Sequence, residues 1–379
     1  MSGLVLLGCL TAISGCKERS AHPELAIGLL ADLPTPGGRP TVEAAQLAIA
    51  EINEGGGVTI ADRRYRLRLI VRDSENNPTS AVEAAREMIF QGHILALVGP
   101  NVSRNAIPVA ELAQSAGVPM LSPGSTNPRT TAGKEHAFRM ATLDNVQGEV
   151  MAEFAIEQLR AQRAAVLFDV ANPSDESVSD AFSKTFHEHG GQVVSRQTYV
   201  TGARDFDAQL LAIAEATIDV LFLPNQSADV AKQAERARAL GIDAVLLGSD
   251  DWSPHVLEKT AALQGAYFSH HWHASLAENE PASQAFVDAY RARYGQPPAV
   301  MAALTYDAVK ILAQALERAD SARPAAVRDA LATVPPYDGI TGRSSFDSDG
   351  NPAKTALILH FQAGQTRFYM RLPRVARSD

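Results

Sequence analysis

From Glu24 almost to the C-terminus, short apolar runs alternate with amphipathic stretches of ten to fifteen residues, and that alternation leaves few folds open. "LAIGLLA" has the unbroken apolar character of a strand buried on both faces. "TVEAAQLAIAEIN" puts Val42, Ala45, Ala48, Ile49 and Ile52 on one helical face, and "EGGG" ends it. Next come the strand "YRLRLIVRD", a helix "PTSAVEAAREMIF" with Pro78 at its start and Gly92 past its end, and the strand "ILALVG". The helix "NAIPVAELAQSA", with Pro108 in its first turn or at a kink, and the strand "VPMLS" follow. Strand and helix in turn, joined by short connections, predict βαβ units and a parallel sheet with helices on its faces.

A second series of like design begins after "FRMATLD", running from the helix "VQGEVMAEFAIEQL" and the strand "AAVLFD" to the helix "SADVAKQAERARALG" and the strand "AVLLG". The 379 residues exceed the ~250–300 at which single cores stop growing, so two packed bodies are expected. No Pro-, Gly- or Ser-rich linker separates the series, so the joins are expected to be segments crossing directly between bodies. Phe138–Asp144, Gly265–His273 and Ser344–Pro352 are the candidates. The expected lobe 1 comprises 24–141 and 270–345, and lobe 2 comprises 142–269 and 346–373, ending in a hairpin around "QAGQ".

A formal net charge of -9, with 46% hydrophobic and 20% charged residues, describes a soluble globular chain. It argues against nucleic acid or an anionic membrane surface as partner, since both select clustered Lys and Arg. The uncharged residues 1–15, "MSGLVLLGCLTAISG", are too short for a membrane span of ~20 residues and suit a signal segment. Ile13-Ser14-Gly15-Cys16 resembles a bacterial lipobox, so cleavage before Cys16 and its lipidation are expected, leaving the membrane to be met only through that anchor. Cys9 would leave with the signal, and no internal disulfide could form.

Ligands of doubly wound sheets sit outside the carboxyl ends of the strands, where the unusual turns of this chain fall. "LVGPNVSRN" brings Ser103 to a helix start, where its hydroxyl either caps the helix or, with the free amides, holds an anion. "LSPGSTNP" follows the next strand and adds Gly124, Ser125 and Thr126. Neutral hydroxyl and amide donors with no Lys or Arg among them suit a small carboxylate. In the second series "LLGSDDW" ends a strand with Ser249, Asp250, Asp251 and Trp252. This is a solvated acidic turn or a place where Asp250 meets an ammonium group and Trp252 walls an apolar side chain. Donors from one body facing an acid from the other would hold an α-amino acid.

His271 and His273 in "SHHWHA" share a strand face, but no third ligand at fixed spacing accompanies them. A crossing strand near the cleft mouth is the better reading, and no metal or cofactor is expected. Signatures of catalysis are missing: no G-x-S-x-G, P-loop, H-E-x-x-H, C-x-x-C or G-x-G-x-x-G after a strand. An amidase using Ser125 or Ser249 would need a base that the sequence does not place.

In their order and spacing, "IGLLADL", "AAQLAIAEINEGGGV", "RDSENNP", "LALVGPNVS", "GVPMLSPGSTNP", "FRMATLDNVQG", "DFDAQL", "ARALGIDAVLLGSDDW" and "LTYDAVKIL" resemble the branched-chain amino acid (leucine/isoleucine/valine) binding family. Those are type I periplasmic binding proteins, the substrate-binding lipoproteins of ABC importers. The resemblance implies an α/β chain of two Rossmann-like lobes, each a parallel sheet flanked by helices, joined by three crossing segments. It also implies a small-molecule ligand in the cleft and an ABC permease of the inner membrane as partner. Ser103 and Thr126 match positions that bind the ligand carboxylate, and Gly124 or Ser125 a backbone contact beside them. Asp250 and Asp144 match acids near the amino group, while Asn101 and Met301 fall where apolar contacts to the side chain are usual. Ser174 and Gln226 stand where aromatic contact residues are common, which leaves a polar amino acid or an amide open as ligand. Sensing for a regulator on the same fold is the alternative to transport.

Overall fold

Apolar character all along β1 (Glu24–Ala31) demands cover on both faces and both edges, and the strand receives it. The structure, a computed structural model, describes residues 22–372; the expected signal segment and Cys16 lie outside the described residues. β1 pairs in parallel with β3 (Arg63–Asp73) on one side and β4 (Ala96–Val98) on the other. β2 (Val58–Ile60), β5 (Met120–Ser122) and β6 (Ala137–Arg139) complete a sheet of order β2-β3-β1-β4-β5-β6, in which β2 alone runs antiparallel. Helices α1 (Gly38–Glu54), α2 (Pro78–Phe90) and α3 (Ser103–Ala116) flank it.

The second sheet gathers β7 (Arg163–Asp169), β8 (Gln192–Tyr199), β9 (Val220–Phe222), β10 (Val245–Gly248) and β11 (Tyr267–His270) in parallel, with α4 (Asp144–Glu157), α5 (Pro173–Glu188), α6 (Asp207–Ala214), α7 (Ser227–Ala239) and the short α8 (Pro254–Leu257) around them. α9 (Pro281–Tyr294), α10 (Val300–Arg318) and α11 (Pro324–Ala332) come after β11. Leu304, Ala308, Ile311, Leu312 and Leu316 of α10 share a core with Leu29, Ala45 and Ile49, so the chain has returned to the first body. A small pair, β12 (Tyr337–Gly339) and β13 (Gly342–Ser344), precedes β14 (Ala356–Gln362) and β15 (Gln365–Leu372), which add antiparallel to the edge of the second sheet.

Three passages therefore join the bodies: after β6, after β11 and before β14. The third comes later than the sequence reading placed it. Phe346 rests on Phe138 of β6 with ring centroids 5.1 Å apart, Arg139 donates its amide to the Gly350 carbonyl at 3.0 Å, and Thr131 bonds Asn351 at 2.9 Å. Residues 346–352 thus belong with the first sheet, and the chain leaves it just before β14.

Strand order reverses beside β1 in the first sheet and beside β7 in the second. The loops after β1, β4, β7 and β9 therefore open the two crevices in which doubly wound sheets take ligands. In the second body α4 and α5 approach closely enough for their backbones to meet. A Cβ built on Gly148 of α4 would lie 2.2 Å from the Val178 carbonyl and 2.8 Å from the Phe182 amide. Gly148→Ala should gain about 1 kcal/mol of helix propensity but lose about 1–3 kcal/mol to the backbone clash. Urea unfolding is expected to show net destabilisation; a stabilised variant would mean the helices have room to separate.

Candidate functional site

Each hydroxyl of the two turns in the first body has its own use. Ser103 is the first residue of α3, whose N-cap is Val102 with no capping side chain, so its hydroxyl is not spent on the helix end. It accepts hydrogen bonds from the Ser125 hydroxyl at 3.0 Å and the Asn127 amide at 3.4 Å. Ser125 is fully buried: its Oγ also meets Thr130 Oγ1 at 2.7 Å, and its amide is taken by Ser122 Oγ at 3.2 Å. The expectation that the Ser125 hydroxyl serves as an outward donor is thus corrected. It braces the turn, because a hydroxyl buried in a tight turn must find its partners inside. Thr126, the next residue, turns its hydroxyl toward the Asp144 carboxyl.

Two buried ionic groups fix these turns. Arg139, with no exposed surface, donates to the Ser125 carbonyl at 3.0 Å, to Thr131 Oγ1 at 2.7 Å and to the Pro128 carbonyl at 3.3 Å. Asp32, at the end of β1, accepts from Ser74 Oγ, Asn105 Nδ2 and the amides of Asn101 and Val102 at 2.5, 2.7, 2.9 and 3.1 Å. A Cβ on Gly124 would stand 2.8 Å from Met301 Sδ and 3.1 Å from Asn101 Cβ, so Asn101, Gly124 and Met301 converge at one corner. The Asn101 amide nitrogen bonds Thr41 Oγ1 at 2.6 Å, while its oxygen is buried without a partner.

On the side of the second body the groups are acids. Asp144 opens α4 and is 2% exposed. Burial and the neighbouring Asp250 raise its pKa, against the pull of the Thr126 and Ser174 hydroxyls and of Arg139. Its carboxyl therefore looks onto both bodies: Thr126 belongs to the turn after β5, and Ser174 to the first turn of α5. Asp250 follows β10; its amide donates to Gln147 Oε1 at 3.1 Å and its carboxylate meets His271 Nε2 at 2.8 Å. Burial pushes its carboxyl up, and the His271 hydrogen bond, the His271 and His270 charges and the Gln147 bond together outweigh it, leaving it below the ordinary value.

Beside it, burial and the charges of Asp250 and Asp144 push Asp251 up to about 7, opposed by a hydrogen bond from Gln226, the N-cap residue of α7. Trp252 does not wall the cleft as expected. It is 1% exposed, packs on Phe268, fills the space against Gly248 and donates its indole N–H to the Leu223 carbonyl at 2.8 Å.

The structure thus brings Ser103, Ser125, Asn101, Gly124 and Met301 together on one rim, Asp250, Asp251 and Gln226 on the other, and Thr126, Asp144 and Ser174 between them. Arg139, Asp32, Gln147, Asp175 and His271 were missed as parts of the site. Only His271 carried a signal, its place on a strand near the cleft mouth.

Two α/β bodies joined by three passages, with polar groups at the facing strand ends, define a two-lobed binding protein. The chain belongs to the periplasmic binding protein family, whose model matches residues 24–365. The leucine-, isoleucine-, valine-, threonine- and alanine-binding protein of Pseudomonas aeruginosa is 28% identical over 313 residues, covering 81% of this chain and 80% of that one. The Leu/Ile/Val-binding protein BraC3 of Rhizobium johnstonii is 29% identical over 353 residues, with 91% and 94% covered. The fold resembles the leucine-binding protein LivK of Thermotoga maritima with TM-score 0.77, 29% identity and 93% and 99% of the chains covered. It also resembles the branched-chain amino acid transporter substrate-binding protein LivJ of Streptococcus pneumoniae in complex with isoleucine, with TM-score 0.78, 27% identity and coverage of 92% and 99%.

Arg139→Met removes the donor to three acceptors of the turn that carries Thr126. Losing one side of such a buried charged network costs about 3–5 kcal/mol, and urea unfolding should show a loss of that size. A loss below about 1 kcal/mol, the worth of an ordinary hydrogen bond, would mean that the turn holds without it.

Proposed function

We propose that this chain is the substrate-binding component of an ABC importer and takes an amino acid in the cleft between its bodies. The observation that carries the reading is the place of Asp144, whose carboxyl faces Thr126 of one body and Ser174 of the other with Asp250 beside it. Ser103, Thr126 and nearby amides suit the ligand carboxylate, and Asp250 with Asp144 its ammonium group. Asn101, Gly124 and Met301 form the corner nearest its side chain, and Gln226 lies on the acidic rim. Only a closed arrangement lets both rims touch one small molecule, so the ligand shifts a hinge equilibrium toward closure. A permease of the inner membrane then receives the closed form.

The reading is non-catalytic. The Ser125 hydroxyl is bonded to Ser103 and Thr130, with no base at hand to activate it. The protein works in the periplasm or at the cell surface, held by a lipid at Cys16 after removal of residues 1–15.

Asp250→Ala should abolish amino-acid binding in calorimetry while the apo protein unfolds as one cooperative unit; unchanged affinity would displace the site. Cys16→Ala should move the protein from the membrane to the soluble fraction of cells, and a variant that stays with the membrane would remove the lipid anchor from the proposal.

A further inference from the structure

The acidic rim holds more carboxyl groups than one ammonium group calls for. Asp169 ends β7, Asp175 lies in the first turn of α5, Asp250 and Asp251 follow β10, and Asp144 opens α4. Since β9 lies between β7 and β10, all five stand at one end of the second sheet. Asp250 has His271 at 2.8 Å, Asp169 has the Thr201 hydroxyl, and Asp144 has Thr126, Ser174 and the charge of Arg139 behind the turn. Asp251 and Asp175 have only the side-chain amides of Gln226 and Asn172, and no positive charge stands among the main influences on either. The principal charged neighbours of Asp251 are Asp250 and Asp144; those of Asp175 are Asp251, Asp169, Asp144 and Asp250. Asp175 is 1% exposed, and while its Oδ1 accepts from Asn172 Nδ2 at 2.6 Å, its Oδ2 is buried with no hydrogen-bond partner. A buried carboxylate oxygen left unbonded is costly unless a proton or a cation reaches it.

Resting on the proposed amino-acid cleft, we propose that the ligand carries a second positive charge: a basic amino acid whose side-chain ammonium or guanidinium group is taken by Asp251, with Asp175 behind it and Gln226 alongside. An apolar side chain would supply nothing to either carboxyl. A cation on Asp251 neutralises the charge that Asp175 feels most, and a planar guanidinium or an ammonium provides the donors these acceptors lack. The groups facing Asp175 are acids from β7, α4 and the turn after β10, together with the Tyr199 hydroxyl of β8. Burial first, and then those charges, push Asp175 up to about 9, so it holds a proton at neutral pH; Asp251, at about 7, holds part of one. A bound cation favours both ionised forms. Binding should release protons, and affinity should rise between pH 6 and pH 8.5, where the ligand's side chain stays charged.

The test is calorimetry on the whole exported protein with lysine, ornithine and arginine, with leucine, valine and glutamine, and with putrescine and cadaverine. Titrations in buffers of different ionisation enthalpy count the protons released. The expected result is that a basic amino acid binds about tenfold to a hundredfold tighter than every neutral one, as a charge-assisted hydrogen bond would give, and with proton release. In Asp251→Asn that preference should shrink toward unity, with folding followed by thermal unfolding of the apo protein. Neutral amino acids that bind more tightly than all three basic ones would overturn the second-cation site and leave the amino-acid cleft standing. Diamines that match the basic amino acids would uphold the cation site and overturn the carboxylate end of the proposed cleft. Binding of none of the compounds would sink both.

Discussion

Asp144 is the group on which the arrangement of the cleft depends, because a carboxyl buried where two bodies meet ties their positions together. Its backbone opens α4, its amide reaches back to the Thr126 carbonyl at 3.3 Å, and its side chain faces hydroxyls on both sides. The first passage between the bodies and the floor of the cleft are therefore one piece of chain. A change in angle between the bodies changes how Thr126 and Ser174 meet the same carboxyl. The bodies also share apolar packing: one core contains Ala44 and Leu47 of α1, Phe286 and Tyr290 of α9, and Leu246 and Phe268 of the second sheet. Polar groups that can exchange partners lie at the opening, and groups whose burial opposes separation lie elsewhere.

The two rims are built by the same rule and filled with opposite chemistry. In each, strands end at a reversal of sheet order and a helix begins there, offering amides. On the first rim, buried Asp32 and Arg139 consume backbone groups so that loops stay fixed, and what remains is neutral: Ser103, Thr126 and the buried, unbonded Asn101 oxygen. On the second rim the charges themselves remain, shared among carboxyls that raise one another's pKa. A ligand entering such a gap is oriented before it is gripped, its anionic end repelled from one side and its cationic end drawn to it.

Most of the architecture was legible because it follows from periodicity. Buried parallel strands read as continuous apolar runs and their cover helices as amphipathic ones, which placed both sheets and the return of α10 to the first body. The third passage was misplaced because Phe346 and Asn351 bind the first body through single contacts that have no pattern. The site was legible as far as residue type at strand ends could carry it. Ser125 and Trp252 failed there for one reason: sequence shows that a polar or aromatic group sits in a turn, and only packing shows which way it faces. Arg139 read only as part of a crossing segment and Asp175 drew no reading of its own, since burial of a charge leaves no trace in the local pattern.

Asp250 shows why affinity in such a cleft cannot be read from a list of contacts. Its carboxylate is already bonded to His271, so an arriving ammonium group joins a pair instead of meeting a bare charge. What it gains is the difference between the carboxylate shared and the carboxylate with His271 alone, and a charge-assisted bond worth about 1.5–3 kcal/mol in isolation is worth less here. Groups that have no partner of their own gain the full bond instead. Among the described residues these include the Asn101 oxygen on one rim, and the Asp175 oxygen and the Gln147 amide nitrogen on the other. Each is buried, so leaving it unbonded is costly, and a ligand that satisfies it relieves that cost as it forms the contact. Such groups favour the ligand that satisfies them, and only a ligand that touches them better in one form than in the other moves the hinge equilibrium.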